Sequence, residues 1–296
     1  MKTGTITAAF LGGDLMEDHN LTAARIAAYE RFLAREERAA ATVEKYSRDI
    51  RAFAAWLGGR PVTKESVARW KEQLLEDGLS PATVNAKLSA VNGLLRHLGW
   101  EKCRAKFVKV QKRAFRDAAR DLSRDEYQRL LDAARALGRE RLELLLETIC
   151  ATGVRVSEVK FITVEAAQNG RTDISLKGKI RTILLPARLC RKLLKYAKKQ
   201  KTVSGEIFLS ENGTSLSRVQ IWREMKRICK AAGVEPSKVF PHNLRHLFAK
   251  TFYRATKDIV KLADILGHSS INTTRIYLLS TGAEHVRCLE RLGLVS

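Results

Sequence analysis

The sequence predicts a mainly α-helical protein of two domains, with one small antiparallel β-hairpin in the second domain. Apolar residues recur at helical spacing through most of the chain, and helix-capping residues precede many of these stretches. Residues 173–185 instead form two short β-like runs around a glycine-containing turn, a pattern typical of a hairpin. A length of 296 residues is enough for two domains that each bury a core.

The first domain, residues 21–101, is expected to be a bundle of four helices. After a flexible lead-in over residues 1–20, these helices are predicted at residues 22–36, 41–57, 63–77 and 81–98. Gly78 follows the third helix in the manner of a C-cap, and Ser80 and Pro81 open the fourth as a cap and a first-turn proline.

A basic linker is predicted at residues 102–120, because the apolar period weakens there and basic residues far outnumber the single acid, Asp117. The second domain, residues 121–296, opens on Ser123 and Glu126, which have the spacing of a capping box. Its last predicted helix, at about residues 284–292, has one apolar stripe. That helix can pack on its own domain or reach a neighbouring protomer.

The charge of the chain indicates a polyanionic partner. The formal net charge is +22 and the isoelectric point is about 10.1, which is far more than solubility requires. The excess is positive in both halves of the chain, so a basic tail does not account for it. The alternative is that the basic residues only face solvent, but the net charge of an ordinary protein surface, which mixes both signs, is usually much closer to zero.

Cysteine usage and the chain start point to an ordinary intracellular protein. The five cysteines include no C-x-x-C pair, so neither a metal site nor a disulfide framework is predicted. The apolar run near the start is short and broken by glycine and aspartate, which suits neither a membrane span nor a secretory signal. We therefore expect a cytoplasmic protein with no membrane partner, associated with the polyanion that its charge indicates.

Reactive side chains concentrate toward the C-terminus. His242, Arg245 and His246 fall within five residues, and His268 and Tyr277 follow. A tyrosine hydroxyl, with a pKa of about 10, needs a proton acceptor before it attacks phosphorus. Arginines stabilise the extra negative charge of the transition state, and a lysine or histidine can protonate the departing oxygen. Such a set suits metal-free cleavage of DNA through a phosphotyrosine, whose bond conserves the energy needed for resealing.

The order, types and spacings of these residues resemble the tyrosine recombinases of the phage-integrase type. The resemblance is carried by residues 151–158, the hairpin at Lys177, residues 242–246, residues 266–268 and Tyr277. It implies an N-terminal four-helix core-binding domain of the SAM-like type. It also implies a C-terminal catalytic domain with the DNA breaking-rejoining fold, in the two-domain Xer-like arrangement.

The resemblance assigns three residues to holding the scissile phosphate and a fourth to supporting one of them. Arg155 and Arg245 would clamp its oxygens, and His268 would hydrogen-bond it. Glu158 would support Arg155 without taking part in the chemistry. No metal ion and no other cofactor is expected.

The same resemblance assigns the bond-making and proton-transfer roles. Tyr277 would form the 3′-phosphotyrosyl link, His242 would accept a proton, and Lys177 would be the general acid for the leaving 5′ hydroxyl. Lys179, two residues further on, stays open as an alternative acid. Tyr253 is interpreted as a core residue because of its apolar neighbours.

Recognition of double-stranded DNA is expected to involve the first domain and the linker. The residue types that contact phosphates occur on the fourth helix and in the basic segment, and the candidates are Asn85, Lys87, Arg96, Lys109 and Lys112. Relatives of this kind exchange their last helix around a ring. A homotetramer on DNA is therefore expected, with strand exchange through a Holliday junction.

Two other functions fit part of the pattern. A type IB topoisomerase-like enzyme would use similar chemistry to relax one duplex, but the separate helical domain and the exchangeable tail argue against it. A non-enzymatic DNA-binding protein on the same fold is disfavoured by the complete set from Arg155 to Tyr277. Integration, excision, dimer resolution and inversion remain alternatives, since all use the same residues.

Overall fold

The computed structural model describes residues 19–109, 120–176, 179–277, 286 and 290–292, and the chain divides into two compact units, Met1–Lys112 and Arg113–Ser296. In their described parts, the first unit is helical and the second is helical with one two-stranded antiparallel sheet. The predicted fold class is confirmed. None of the described helices is long and apolar enough to cross a membrane.

The first unit contains the four predicted helices. They are α1 (Ala23–Arg35), α2 (Ala40–Leu57), α3 (Lys64–Glu76) and α4 (Pro81–His97). The side chains of Thr22, Thr63 and Ser80 cap α1, α3 and α4 by accepting hydrogen bonds from backbone N–H groups of the first turn. The apolar stripes of α2, α3 and α4 meet in a core that includes the fully buried side chains of Phe53 and Leu88, and that of α1 packs in a second cluster with Ile50 and Leu94.

The chain after α4 differs from the prediction of a linker that begins at residue 102. A short 3₁₀ helix, Glu101–Cys103, follows α4, and Cys103 is buried in the core of the first unit. Asn92 hydrogen-bonds both the N–H and the carbonyl of Ala105, and Asn85 does the same for Val108. This segment is therefore part of the first unit, held by its backbone as well as by buried side chains such as Cys103.

The second unit is built around α6 and the helices that pack on it. Its elements are α5 (Arg124–Ala136), α6 (Glu140–Thr152), a 3₁₀ helix Val156–Phe161, α7 (Val164–Asn169), β1 (Arg171–Leu176), β2 (Lys179–Leu184), α8 (Ala187–Lys199), α9 (Arg218–Arg227), α10 (Cys229–Ala232), a 3₁₀ helix Pro236–Lys238, α11 (Pro241–Thr256), α12 (Ile259–Leu266) and α13 (Ile271–Arg275). Both reciprocal bonds of the predicted capping box between Ser123 and Glu126 are present. The predicted final helix at residues 284–292 falls largely outside the described residues.

The hairpin and α11 bring the candidate site together. In the hairpin, Arg171 pairs with Leu184 and Ile174 pairs with Arg181. Because side chains alternate between the faces of a strand, Arg181 shares the inward side with Ile183, which is buried. Helix α11 packs against α6, so the first turns of α11 lie beside the residues that follow α6.

Candidate active site

The end of α6 is shaped so that the next residues enter the site. Gly153 caps α6 in the left-handed conformation, with φ of 63°, which glycine adopts without steric cost. A Cβ at this position would lie 2.5 Å from a ring carbon of Phe248 and 2.9 Å from a methyl of Leu266. Both the backbone conformation and the close packing therefore require glycine before Arg155.

Arg155 is held at the mouth of the site by Glu158. Its Nη1 donates to Glu158 Oε1 at 2.7 Å, and its backbone N–H donates to Oε2 at 2.8 Å. The Arg155 side chain is 40% exposed, whereas that of Glu158 is 3% exposed. The carboxylate is thus a fixed support, and the exposed part of the guanidinium can donate to a ligand.

Arg245 lies on the second turn of α11 and is buried. Its guanidinium donates to the carbonyl of Gly153, to the carbonyl of Leu266 at 2.8 Å, and toward Nε2 of His268 at 3.0 Å. Burial, followed by the Arg155 charge, lowers the pKa of Arg245, but an arginine stays protonated over the whole physiological range. A permanent positive charge is therefore kept out of water beside His268.

His268 is oriented by a bond on each ring nitrogen. Nε2 faces Arg245, which has only donors, and Nδ1 lies 2.8 Å from Oγ1 of Thr274. Nε2 must then be the acceptor, so Nδ1 carries the proton and donates to the threonine. Burial, followed by the charges of Arg245, Arg155 and Arg181, lowers the pKa of His268 to about 4. The ring is neutral at physiological pH.

Tyr277 lies just after α13 and is buried, 3% exposed. Its ring centroid is 5.5 Å from that of His242, 5.4 Å from His246 and 5.8 Å from His268, and it stacks nearly parallel on His268. The backbone N–H of Tyr277 donates to the carbonyl of Thr274 at 3.0 Å. Three imidazoles therefore surround the candidate nucleophile within its own chain.

Apolar side chains of α11 and α12 support Tyr277. It packs in a small cluster with Ala249, Leu262 and Leu266, and the partly buried Tyr253 lies at the edge of that cluster. His242 is exposed on the first turn of α11, and His246 is buried one turn further on. His246 Nδ1 lies 3.9 Å from Asp121 Oδ1, so the start of the second domain contacts the buried His246 of the site.

Arg181 is a site residue that the sequence reasoning missed. Its side chain, only 9% exposed, reaches from β2 to Glu158, with Nη2 3.3 Å from Oε2, and Nη1 donates to the carbonyl of Leu266. Burial lowers its pKa to about 10, with the charges of Arg245 and Arg155 acting in the same direction and Glu158 opposing. The available signal was an arginine on the same strand face as Ile183, which is buried.

A cleft of about 1150 Å³ opens over these groups, and its lining includes Arg155, Glu158, Arg181, Gly267, His268 and Arg218. The lining contains three arginines and two carboxylates, Glu158 and Asp264, which leaves an excess of positive charge. An anionic ligand of phosphate size matches this electrostatic surface, because each guanidinium offers planar, paired donors.

The remaining predicted site residues are spread over the chain. Lys177 and Lys112 lie outside the described residues. Asn85 uses its amide on Val108, and Lys87 pairs with the buried Asp49 at 3.3 Å. Arg96 and Lys109 are exposed in the first unit. Their expected contacts with DNA stay predictions.

Comparison with protein families matches both parts of the chain. The Phage integrase family profile matches residues 120–284, and the profile of the phage integrase N-terminal SAM-like domain matches residues 26–102. The predicted resemblance is confirmed.

Relatives match over most of their length. The tyrosine recombinase XerA of Thermococcus kodakarensis is 28% identical over 268 residues, which cover 88% of this chain and 91% of that protein. The tyrosine recombinase XerD of Xanthomonas axonopodis pv. citri is 29% identical over 275 residues, which cover 84% of this chain and 90% of that protein.

Solved structures share the fold. A lambda integrase tetramer bound to a Holliday junction superposes with a TM-score of 0.70 at 21% identity, covering 88% of this chain and 78% of that chain. The XerH recombinase bound to its difH substrate gives a TM-score of 0.65 at 20% identity, covering 90% of this chain and 84% of that chain.

Proposed function

The chain belongs to the phage integrase family and is a tyrosine recombinase, an enzyme of DNA strand transfer; from that premise, we propose that it cuts and rejoins DNA at specific sites through a covalent bond between Tyr277 and a 3′ phosphate. One observation supports this above the others. The Tyr277 ring stacks on His268, which faces Arg245, beside a cleft that Arg155 lines.

In the proposed reaction, the Tyr277 hydroxyl oxygen bonds to phosphorus while the bond from phosphorus to the 5′ oxygen breaks. The phenolic proton passes to His242, and the 5′ oxygen takes a proton from Lys177, with Lys179 as the alternative donor. Arg155 and Arg245 stabilise the negative charge that grows on the non-bridging oxygens. Attack by the 5′ hydroxyl of another strand reverses these steps, so rejoining requires neither ATP nor a metal ion.

His268 has a conditional role in this proposal. Its Nε2 accepts from Arg245 in the arrangement described above, so this nitrogen must gain a proton before it can donate to the scissile phosphate. A phosphate that takes over the Arg245 donors would release Nε2, and its negative charge would raise the histidine's affinity for a proton. We therefore assign His268 to the phosphate only after DNA is bound.

The proposed partner is double-stranded DNA that carries the recombination site, met in the cytoplasm. The net charge of +22 supports a DNA partner. The first unit and the following basic segment would hold the duplex, with Arg96, Lys109 and Lys112 as the candidate contacts. One related protein is a tetramer on a Holliday junction, and we propose the same assembly here, with the C-terminal helix at about 284–292 exchanged between protomers.

Covalent selection tests this proposal and identifies the DNA site in the same experiment. The full-length protein is incubated in EDTA with a pool of nicked duplexes of randomised sequence, in which the nick lets the cleaved fragment diffuse away. Denatured protein–DNA adducts are then isolated and sequenced. We expect an enriched sequence and an adduct that survives denaturation, and we expect neither from Tyr277→Phe.

Two outcomes would contradict the proposal. An adduct of undiminished yield with Tyr277→Phe would show that the nucleophile is misassigned. An adduct that forms with magnesium but not in EDTA would exclude the metal-free mechanism. The matched control is Tyr253→Phe, which removes a hydroxyl from the same apolar cluster and should leave the yield unchanged.

A further inference from the structure

Arg181 is buried where a cation is costly. Its side chain is 9% exposed, and the guanidiniums of Arg155 and Arg245 are close enough for their charges to oppose its own. Nε and Nη2 of Arg181 have no hydrogen-bond partner in the described structure, although Nη2 is within ion-pair distance of Glu158. If an apolar side chain replaced Arg181, Glu158 would keep its ion pair with Arg155, so no unpaired buried carboxylate would remain. Fold stability therefore gives little reason for an arginine here.

The contacts of Arg181 are shared with both candidate clamp arginines. Glu158 Oε2 accepts from the Arg155 backbone N–H and faces Arg181 Nη2. The Leu266 carbonyl accepts from Arg245 Nη2 at 2.8 Å and also from Arg181 Nη1. This carbonyl ends α12, where the helix dipole adds negative potential. Arg181 thus lies between the acceptors that orient the other two guanidiniums.

The turn at Gly267 leaves space for Arg181. Gly267 has φ of 63°, and a Cβ there would lie 2.5 Å from Cδ and 3.1 Å from Nη1 of Arg181. The Leu266–His268 turn and the arginine side chain therefore fit directly against each other. A shift of Arg181 would move the peptide that precedes His268.

We propose that Arg181 is a positioning residue for the phosphate clamp: it fixes Glu158 and the Leu266 carbonyl, and through them the guanidiniums of Arg155 and Arg245. Its inward place on β2 sets this contact, whereas Arg171, on β1 of the same hairpin, is exposed. The proposal rests on the proposed function, since a clamp matters only if a phosphodiester is attacked.

The test compares cleavage chemistry among variants of the full-length protein. The substrate is the nicked duplex selected with the wild-type enzyme, prepared with an ordinary phosphate, with a methylphosphonate, or with a 5′-phosphorothiolate at the scissile position. The methylphosphonate lacks one charged non-bridging oxygen and so depends less on the clamp. The phosphorothiolate has a leaving group that needs no general acid.

Arg181→Met should slow adduct formation on the phosphate by about 100-fold, the effect expected of small misplacements of reacting groups, while DNA affinity and the thermal midpoint stay unchanged. On the methylphosphonate, its deficit should shrink to within about threefold, because the misplaced clamp matters less there. Arg181→Lys keeps the charge without the planar fork and should be intermediate. Arg171→Met should match the wild type on every substrate.

The outcomes separate the two proposals. If wild-type protein forms no adduct, the proposed function fails and the role of Arg181 fails with it. If wild-type protein reacts and Arg181→Met is as fast, or is equally slow on phosphate and methylphosphonate, only the positioning role is overturned. Recovery on the phosphorothiolate alone would also overturn it, because the defect would then lie in proton donation. Should Arg181→Met not fold, Arg181→Lys on the same three substrates decides by the same criteria.

Discussion

Each unit contains a buried carboxylate surrounded by cations, and the two sites differ in how far those cations are exposed to solvent. Asp49 in the first unit is met by Lys45 at 3.0 Å, Lys87 at 3.3 Å and Arg48 at 3.9 Å, and the side chains of Lys45 and Arg48 extend into solvent. Glu158 in the second unit is met by Arg155 and Arg181, and the buried Arg245 lies close by. Both clusters contain more cations than their carboxylate neutralises.

The difference is solvent access. Lys45 and Arg48 keep their charges in water, where screening makes the excess nearly free of cost. Arg181 and Arg245 keep theirs buried, where an unbalanced charge is costly and attracts an anion. The first cluster is therefore understood as structural and the second as a preformed anion site. The predictions below test this contrast, beginning with the largest expected effect.

Removing the two carboxylate charges should affect stability unequally. Glu158→Gln leaves Arg181 buried without its ion pair, and loss of such a partner costs about 3–5 kcal/mol. Asp49→Asn should cost only about 1–2 kcal/mol, because its partners turn to water. Native-state hydrogen exchange reports on each unit separately, which suits a chain that is not a single two-state folder. Equal losses at the two sites would contradict the contrast.

Shortening one arginine in each cluster should affect cleavage unequally. Arg155→Lys loses the planar fork over the cleft, and the rate of adduct formation should fall by about 10²–10³-fold, as for loss of one preorganised donor. Arg48→Lys lies at the structural cluster and should change that rate by less than about twofold. Single-turnover adduct formation measures both. A defect of similar size in the two variants would mean that Arg155 acts through the fold.

Thr274 gives a sharper test of the second cluster. Thr274→Val removes the acceptor of His268 Nδ1 and should slow adduct formation by about 10-fold, the equivalent of one lost hydrogen bond. The neighbouring Thr273 is exposed, so Thr273→Val is a matched control that should match the wild type. Thr274→Ser keeps the hydroxyl and should restore most of the rate. Equal rates for Thr274→Val and Thr273→Val would rule out the orienting role.

The low pKa of His268 predicts the pH dependence of stability. The unfolded histidine binds a proton below about 6.5, whereas the folded one does so only below about 4. The unfolded state therefore binds more protons between these values, and stability must fall as the pH is lowered from 6.5 toward 4. Calorimetry of the wild type and of His268→Asn over this pH range isolates the contribution of His268. The variant should lose less stability than the wild type as the pH falls. If stability depends on pH in the same way in both proteins, folded His268 binds its proton with the pKa of an ordinary histidine.

The smallest effects are expected for single contacts with DNA. Lys109→Ala and Arg96→Ala should each weaken binding of all sequences alike and reduce the salt slope by about 1. Lys87→Ala should reduce the slope less, because Asp49 already engages this lysine. Binding of the selected duplex as a function of salt concentration gives all three slopes. An unchanged slope for Lys109→Ala would remove this residue from the interface.

The helices could be predicted from the sequence for identifiable reasons. Helical period and capping residues such as Thr63 and Ser123 are local signals, and the structure places helices where they occur. Arg155, Arg245 and His268 were selected by the resemblance to the tyrosine recombinases, and their roles at the phosphate stay predictions. They come from separate elements of the second unit, which the structure brings close together.

The features that the sequence did not reveal depend on register and on backbone contacts. Arg181 faces the site because the hairpin pairs it with Ile174. The sequence of a short strand does not by itself specify this pairing register. Asn85, predicted to contact DNA from a polar helix face, hydrogen-bonds the backbone of Val108, a contact that the sequence did not indicate. Side-chain bonds to distant backbone leave no periodic signal.

The most direct test of the account is to locate the DNA on the protein. The adduct is digested with nuclease and trypsin, and mass spectrometry finds the peptide that carries a nucleotide. Cleavage after Arg275 and Arg287 releases peptide 276–287, in which Tyr277 is the sole tyrosine. We predict a 3′-linked nucleotide on this peptide. A nucleotide on peptide 251–254, which contains Tyr253, or on any other peptide would contradict the central claim that Tyr277 attacks the phosphate.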